Sequence, residues 1–399
     1  MSQRSRRWMV RLVAILVTFG ISAFILEVGS YAYLRTSRGY DGEHLMNYQF
    51  DPYKIIQLTP GFVDERGVYH NAQGFRRQLD TPQKKPADVL RVFLMGGSTA
   101  YGLQSLSRLG REKYPVIRNN QTIDHYLELA LEDAIPGKKI EVINAAITSS
   151  YSHHHFIYLS QVILKFDPDV VIFLDGFNDY YHTERGFDQF RDYAYSQRVH
   201  TFMREPTFDA WARYTGWWLF RKSHFFHAAG RAVRNVSFMT AGDTGKRRLL
   251  DVQESLVNLR DNAERNWVKM VERNGLILAH ENIQAIFALQ PEIAFDPSKK
   301  MSPLESKIFN ETSQLWPKNY VEFKRRARPV VLEYLESATA VSGARAVDLT
   351  DIYGGVTGDV YTDYCHLTPT GNRVLAEALE STVLEALLAR ERDIEPGSI

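Results

Sequence analysis

Apolar runs of strand length alternate with helix-periodic segments from residue 89 onward, and this alternation is the strongest constraint on the fold. The runs VLRVFLMGG, KIEVINAAI and PDVVIFLDGFND are separated by QTIDHYLELALEDAI and HHFIYLSQVILKF. Continuous apolar strands are typical of a parallel sheet that is buried on both faces, and right-handed crossovers then place helices on both sides of it. Two later runs, IQAIFALQP and ARAVDLTDIY, extend the sheet to about five strands. The sequence therefore predicts an α/β fold, a doubly wound, flavodoxin-like three-layer sandwich.

Residues 1–34 have the composition of a membrane anchor or signal segment. Four arginines, at positions 4, 6, 7 and 11, precede residues 12–26, which carry no charge. A span of about 20 residues requires the flanking positions as well, with Arg11 and Glu27 near the two interfaces. Basic residues before the apolar run place that end in the cytoplasm. We predict a single-pass helix in the inner membrane with the body on the periplasmic side. Cleavage as a signal peptide near Ser30 and Ala32 is the alternative.

The rest of the chain divides into three further parts. Residues 35–87 are polar and turn-rich, and they predict a juxtamembrane β-rich segment with two short strands around Arg66 and Gly67. Residues 88–391 form the predicted α/β domain, interrupted at 180–248 by a helical insertion rich in aromatic residues. This insertion either packs on the main domain, covers a substrate groove or faces the membrane. Residues 392–399 predict a disordered tail.

Composition excludes several classes of function. The net charge is +1, which offers no argument for binding nucleic acid. The only cysteine is Cys365, so the chain cannot form an intramolecular disulfide or a thiolate zinc cluster. Three adjacent histidines, at positions 153–155, lie in a predicted helix and face different directions, so they cannot easily share one metal ion. We predict no metal and no cofactor.

Polar residues follow the predicted strands where each one ends. Ser98 follows the first strand and Ser149 the second, Asn178 follows the third, and Asp363 and His366 lie beyond the fifth. Ligands of open parallel sheets bind at the carboxyl ends of the strands, so these segments can converge on one site.

A serine becomes a nucleophile when a base accepts its proton and an acceptor orients that base. Asp363 and His366, three residues apart, can supply both functions for Ser98. His366 would take the proton, and Asp363 would hold the imidazole tautomer. The backbone N–H of Ser98, a backbone N–H near Ser149 and the side-chain amide of Asn178 are candidate donors to an oxyanion.

Four segments of the chain resemble the sequence blocks of the SGNH (GDSL-type) hydrolase superfamily, in its membrane-anchored, exported bacterial subgroup. GGST is similar to the first block, with Gly97 in place of the usual Asp, and INAAITSSYS resembles the second, whose oxyanion glycine corresponds to Ser149. GFND and DYCH match the third and last blocks. The resemblance implies that Ser98, Asp363 and His366 are catalytic and that Ser98, Ser149 and Asn178 form the oxyanion hole.

The positions beside these residues are candidates for substrate binding. They are Gly97, Gly176 and Asp179, and Asp179 can alternatively orient the Asn178 loop or cap a helix. Serine at position 149 is a departure from the family pattern. If the glycine there supplies a positive φ, a serine resists that conformation.

The resemblance implies a serine esterase that hydrolyses or transfers an acyl group, with acetyl as the expected one, on a cell-envelope carbohydrate through an acyl-serine intermediate. The implied partners are an acylated carbohydrate or other ester substrate, the membrane and an envelope-assembly protein. One alternative is a catalytically degenerate domain that binds polysaccharide or acts as a scaffold. A second is a lipid esterase, which the aromatic insertion and the anchor would suit. Fold alone does not choose the substrate.

Overall fold

The structure is a computed structural model. It describes residues 3–36, 48–180 except Pro52 and Glu65, scattered positions between 215 and 229, and 249–394 except Pro297 and Leu315. The chain divides into two compact units. One comprises Met1–Met46 and His200–Lys246, and the other comprises Asn47–Val199 and Arg247–Ile399.

The larger unit contains all the strands that the structure describes. They are β1 (Tyr48–Asp51), β2 (Ile55–Leu58), β3 (Val63–Asp64), β4 (Val68–Tyr69), β5 (Val89–Gly96), β6 (Lys139–Asn144), β7 (Val170–Asp175), β8 (Gln284–Leu289) and β9 (Arg345–Asp348).

The α-helices of four or more residues within the described ranges are α1 (Gln3–Thr36), α2 (Ser98–Tyr101), α3 (Arg108–Lys113), α4 (Ile123–Ala134), α5 (Ser152–Gln161), α6 (Phe177–Tyr180), α7 (Val252–Asn262), α8 (Lys269–His280), α9 (Pro303–Ser313), α10 (Tyr320–Ala340) and α11 (Pro369–Ile394). Two 3₁₀ turns (Asn119–Gln121 and Ile163–Phe166) and a π-helical segment (Ala263–Val268) are also present.

Strands β5 to β9 form one parallel sheet in the order β6-β5-β7-β8-β9. This is the flavodoxin-like order, in which the chain reverses direction across the sheet beside the first strand. The interior strand β5 is buried at every position, and the central strand β7 is buried at all but its last residue. The predicted α/β sandwich with a five-stranded parallel sheet is confirmed. Its carboxyl edge, where β5, β6 and β7 end, carries the candidate site.

The segment before the sheet contains two antiparallel hairpins. β3 pairs with β4 around Arg66 and Gly67, as the sequence predicts. β1 pairs with β2 over four residues, a hairpin that the sequence analysis did not identify. Ile56, Leu58 and Phe75 from this segment belong to the same apolar core as the sheet. The segment is thus packed on the α/β body, not independent of it.

Helix α1 is the one element of the described residues that is long and apolar enough to cross a membrane. The most apolar 18-residue window within Ser5–Tyr33 has a mean hydropathy of 2.3. An N-terminal signal sequence has the same properties. Within its unit, Glu27 of α1 accepts hydrogen bonds from the Ser223 hydroxyl at 2.6 Å and from the backbone N–H groups of His224 at 2.6 Å and Phe225 at 3.2 Å. The apolar helix therefore contacts the aromatic insertion.

Two predictions about boundaries fall mostly on undescribed residues. Apart from Tyr180 and scattered positions between 215 and 229, the insertion at 180–248 lies outside the described residues. Helix α11 continues to Ile394, so the predicted tail begins inside a helix, and residues 395–399 lie outside the described residues.

Candidate active site

Ser98 lies at the carboxyl end of the interior strand β5, directly after two glycines. Gly96 has a φ of +151°, and a Cβ there would lie 2.7 Å from the Cβ of Ala100 and closer still to the carbonyl oxygen of Leu174. Only glycine therefore allows β5 to approach β7 this closely before the chain turns. Ser98 is the first residue of α2 and is partly exposed, unlike its buried neighbours Gly97 and Thr99. A substrate can reach its hydroxyl.

Ser98, His366 and Asp363 form a chain of hydrogen bonds. The Oγ of Ser98 lies 2.8 Å from Nε2 of His366, and Nδ1 of His366 lies 2.7 Å from Oδ2 of Asp363. A carboxylate only accepts hydrogen bonds, so Nδ1 carries the proton and Nε2 is the acceptor for the serine hydroxyl. This is the tautomer that a general base requires, and the structure thus brings the three predicted catalytic residues together.

Asp363 is held as a carboxylate in a buried position. Its oxygens accept from the backbone N–H groups of Leu106 at 2.6 Å, Cys365 at 3.0 Å and His366 at 2.9 Å, in addition to the His366 ring. Burial alone would raise the pKa of Asp363, but the attraction of His366 and these hydrogen bonds outweigh it and hold the pKa below its ordinary value. The charge that orients His366 is therefore present at neutral pH.

The loop after β5 and the loop before α11 are tied together by further hydrogen bonds. The Thr99 hydroxyl donates to the carbonyl oxygen of Cys365 at 3.2 Å and accepts from the amide of Gln290 at 3.2 Å. The Ser105 hydroxyl donates to the carbonyl oxygen of Thr362 at 2.6 Å. These bonds fix the distance between two catalytic segments that lie far apart in the sequence.

In the second predicted sequence block, Ser149 has a backbone conformation that glycine adopts more readily than other residues. Ser149 has a φ of +61°, in the left-handed region, and its side chain is exposed. The serine therefore accepts the conformation that the sequence analysis expected it to resist. Left-handed backbone costs an L-residue energy, so the surrounding structure must hold this loop in place.

Replacing Ser149 by glycine should raise the free energy of unfolding of the protein. The left-handed backbone destabilises the folded state by about 1–2 kcal/mol for an L-residue. The greater conformational entropy of glycine in the unfolded chain offsets about half of the gain from removing this strain. We expect a net gain of about 0.5–1 kcal/mol in chemical denaturation of the full chain in detergent. Ser149→Ala keeps the strain and should give no gain. Equal stability of the glycine and alanine variants would show that the position is not strained.

Asn178 lies over Gly97 beside the nucleophile. Its Nδ2 donates to the carbonyl oxygen of Ser150 at 2.9 Å, and a Cβ on residue 97 would lie 2.7 Å from the same nitrogen. An amide nitrogen carries two hydrogens, so a second donor remains beyond the bond to Ser150. Gly97, predicted as a substrate contact, thus makes room for the amide of Asn178.

The other two predicted substrate contacts have different positions. Gly176, at the end of β7, has a φ of +129° and is buried. Asp179 is 3% exposed, and its Oδ1 accepts from the backbone N–H of Ser152 at 3.1 Å, at the start of α5. Burial and the neighbouring Asp175 raise the pKa of Asp179 to about 7. The position of Asp179 beneath the loop matches the alternative that it caps a helix.

Three residues near the site were not identified from the sequence. Ser150, His155 and Asp175 form a second, buried chain of hydrogen bonds under the Ser149 loop. The pattern SSYSHHH places a serine five residues before a histidine across a helix start, and Asp175 ends a buried strand. These two sequence features together could have identified Ser150, His155 and Asp175 as a second hydrogen-bonded group.

The donor groups at the site favour proton transfer over metal binding. Asp363, Cys365 and His366 each place one potential ligand atom within 4.8 Å of the others. However, the His366 and Asp363 atoms are bonded to each other, and burial raises the pKa of the Cys365 thiol, which keeps it protonated. In the histidine cluster, His154 bonds through Nε2 to the carbonyl oxygens of Lys54 and Ile56.

Comparison with known proteins found similar structures at low identity. No protein-family model matches the chain, and no curated protein matches it. An α/β hydrolase from the metagenome of Lake Arreo, Spain, is 10% identical with a TM-score of 0.38, over 75% of this chain and 96% of that one. An acetylxylan esterase from Geobacillus stearothermophilus is 12% identical with a TM-score of 0.35, over 75% and 94%. A GDSL-like lipase from Bacteroides thetaiotaomicron is 11% identical with a TM-score of 0.34, over 76% and 92%. Because likeness at this level carries no argument about function, we base the function on the geometry of the site.

Proposed function

We propose that this protein is a serine esterase of the SGNH type, with Ser98 as nucleophile, His366 as general base and acid, and Asp363 as the orienting carboxylate. The observation that carries the proposal is the hydrogen-bonded chain from a partly exposed serine through the Nε2-accepting histidine to an ionised, buried aspartate. This is the arrangement that activates a hydroxyl for attack on an acyl carbon.

The reaction begins when Ser98 Oγ bonds to the carbonyl carbon of an ester and its proton passes to Nε2 of His366. The carbonyl oxygen becomes an oxyanion. Its donors are the backbone N–H groups of Ser98 and Ser149 and the second N–H of Asn178. The tetrahedral intermediate then expels the alcohol oxygen, which takes the proton from His366, and leaves an acyl-serine.

The second half of the reaction returns the enzyme to its starting state. Water gives a proton to His366 Nε2 as its oxygen bonds to the acyl carbon, and the intermediate collapses to the acid and a reprotonated Ser98. If a sugar hydroxyl took the place of water, the same steps would transfer the acyl group to the sugar.

We propose that the substrate is a short acyl ester on an envelope carbohydrate, with acetyl as the expected acyl group. Helix α1, in which arginines precede the apolar part, supports an anchored body on the periplasmic side. A lipid ester is the competing substrate, and a non-catalytic polysaccharide-binding domain is the competing function.

Labelling with a fluorophosphonate tests the proposal directly. The full chain in detergent should react once, and peptide mapping should find the label on Ser98. Ser98→Ala should not react. Ser160→Ala is the matched control and should react normally, because the Ser160 hydroxyl is exposed and bonds to carbonyl oxygens of its own helix.

Absence of labelling in a folded parent would overturn the esterase assignment in favour of a binding domain. For a reactive parent, the rate of p-nitrophenyl acetate hydrolysis should exceed that of a long-chain ester presented in micelles. The reverse preference would replace the carbohydrate ester with a lipid.

A further inference from the structure

A second chain of hydrogen bonds lies directly beneath the oxyanion loop. Ser150 Oγ lies 2.8 Å from Nε2 of His155, and Nδ1 of His155 lies 2.8 Å from Oδ2 of Asp175. Ser150 and His155 are 0% and 2% exposed. A substrate cannot reach the Ser150 hydroxyl, so this chain is not a second nucleophile.

The bonds around Ser150 determine the protonation of His155. The Ser150 hydroxyl has one hydrogen, and the carbonyl oxygen of Gly96 at 2.9 Å can only accept it. When the hydroxyl donates to Gly96, Nε2 of His155 is left as the donor to Ser150 Oγ. Nδ1 must donate to Asp175, because a carboxylate only accepts. With a proton on both ring nitrogens, His155 is an imidazolium.

The charges around His155 favour this state. Asp175 faces it from the end of β7, Asp179 faces it from α6, and His154 is its titratable neighbour on α5. Burial alone would lower the pKa of His155, but its attraction and hydrogen bond to Asp175, together with Asp179, raise it above the ordinary value.

Ser150 connects this charged pair to the parts of the proposed oxyanion hole. Its carbonyl oxygen accepts from Asn178, its hydroxyl is bonded to Gly96 at the end of β5, and it directly follows the left-handed Ser149. Ser150 thus bonds to Asn178 and directly follows Ser149, and both of these residues carry proposed oxyanion donors. Without the bond from His155, only the donation to Gly96 would hold its hydroxyl.

We propose that His155, as an imidazolium paired with Asp175, is a positioning residue that holds Ser150 and thereby keeps Ser149 and Asn178 in the geometry of an oxyanion hole. This inference rests on the proposed esterase function. It adds the requirement that His155, which does not touch the substrate, is protonated. Activity should therefore decline at alkaline pH as His155 loses that proton.

Nitrogen NMR of the histidine rings tests the protonation state without reference to activity. In the full chain in detergent at about pH 8, well above the ordinary histidine pKa of about 6.5, both ring nitrogens of His155 should show the shifts of an imidazolium. The signals are assigned by comparison with His155→Gln. A neutral ring at that pH would overturn the proposal, even for an inactive protein.

Kinetics test the positioning role. We expect His155→Gln to lower kcat for p-nitrophenyl acetate about 10–100-fold with little change in KM, which is less than the roughly 10²–10³-fold loss from removing an oxyanion donor outright. The alkaline decline due to His155 should disappear in this variant. In Asp175→Asn, which keeps an acceptor for Nδ1 but removes the charge, the decline should move to lower pH.

His154→Gln is the matched control, because His154 is equally buried on the same helix but bonds to the carbonyl oxygens of Lys54 and Ile56. Its kcat and pH profile should match the parent. A parent that does not react at Ser98 contradicts the esterase function. A reactive parent whose kcat and pH profile are unchanged by His155→Gln contradicts only the positioning role.

Discussion

Replacing Asp363 by asparagine should lower kcat for ester hydrolysis about 10⁴-fold, the loss that follows when a catalytic histidine is held in the wrong tautomer. One oxygen of Asp363 accepts from Leu106 N–H and the His366 ring, and the other accepts from two backbone N–H groups. An amide supplies only one accepting end. With its oxygen toward the two backbone donors, its NH₂ faces Nδ1 of His366. The ring must then carry its proton on Nε2, where it cannot accept from Ser98.

The measurement is kcat against pH for p-nitrophenyl acetate, with the fold checked by circular dichroism. Asp359→Asn is the matched control, because Asp359 lies in the same loop and bonds to Lys113, Tyr114 and Ser302 away from the catalytic residues. It should leave kcat unchanged. A loss of only about tenfold in Asp363→Asn would mean that another group orients His366.

A methyl group on residue 97 should lower kcat about 10²–10³-fold by displacing one oxyanion donor. Gly97 has a φ of −85°, so alanine meets no left-handed backbone there, and the expected effect of Gly97→Ala is mainly steric. The new Cβ would lie 2.7 Å from Nδ2 of Asn178, nearer than carbon and nitrogen normally approach. The amide must move, and its second hydrogen moves away from the oxyanion.

A double-mutant cycle separates this mechanism from general damage to the site. Asn178→Ala removes the displaced group, so adding Gly97→Ala to it should cost little more activity. If the two losses multiply instead, Gly97 acts by a route that does not involve Asn178. In either background, fluorophosphonate labelling reports whether Ser98 remains accessible.

The sheet and the three residues of the hydrogen-bonded chain could be predicted because each left a local signal. Five continuous apolar runs specify a parallel sheet, and the carboxyl ends of its strands must meet at one edge. Ser98, Asp363 and His366 follow strands or precede the last helix, so the topology alone brings them close. The left-handed backbone of Ser149 left no such signal, since a serine in a loop is compatible with many conformations.

Buried polar residues are the part of the structure that the sequence does not predict. Arg76 lies in a polar, turn-rich stretch, where an arginine is expected to be exposed. It is 1% exposed and donates to the carbonyl oxygens of Tyr101 at 2.6 Å and Gly102 at 2.9 Å. His155 is a second example, because its ring bonds to the side chains of Ser150 and Asp175. Pairing of this kind depends on residues distant in sequence, so local pattern cannot show it.

The carboxylate of Glu27 bears on whether the N-terminal segment is removed after export. A signal peptidase that cut near Ser30 or Ala32 would take away Glu27, and with it the acceptor of the Ser223 hydroxyl and of the His224 and Phe225 N–H groups. Tyr31, whose ring packs edge-on against His224 at 5.0 Å, would be lost or left at a new chain end. Cleavage there would thus remove the acceptor of the hydrogen bonds from Ser223, His224 and Phe225, an observation that supports the proposed anchor over the alternative of a cleaved signal peptide.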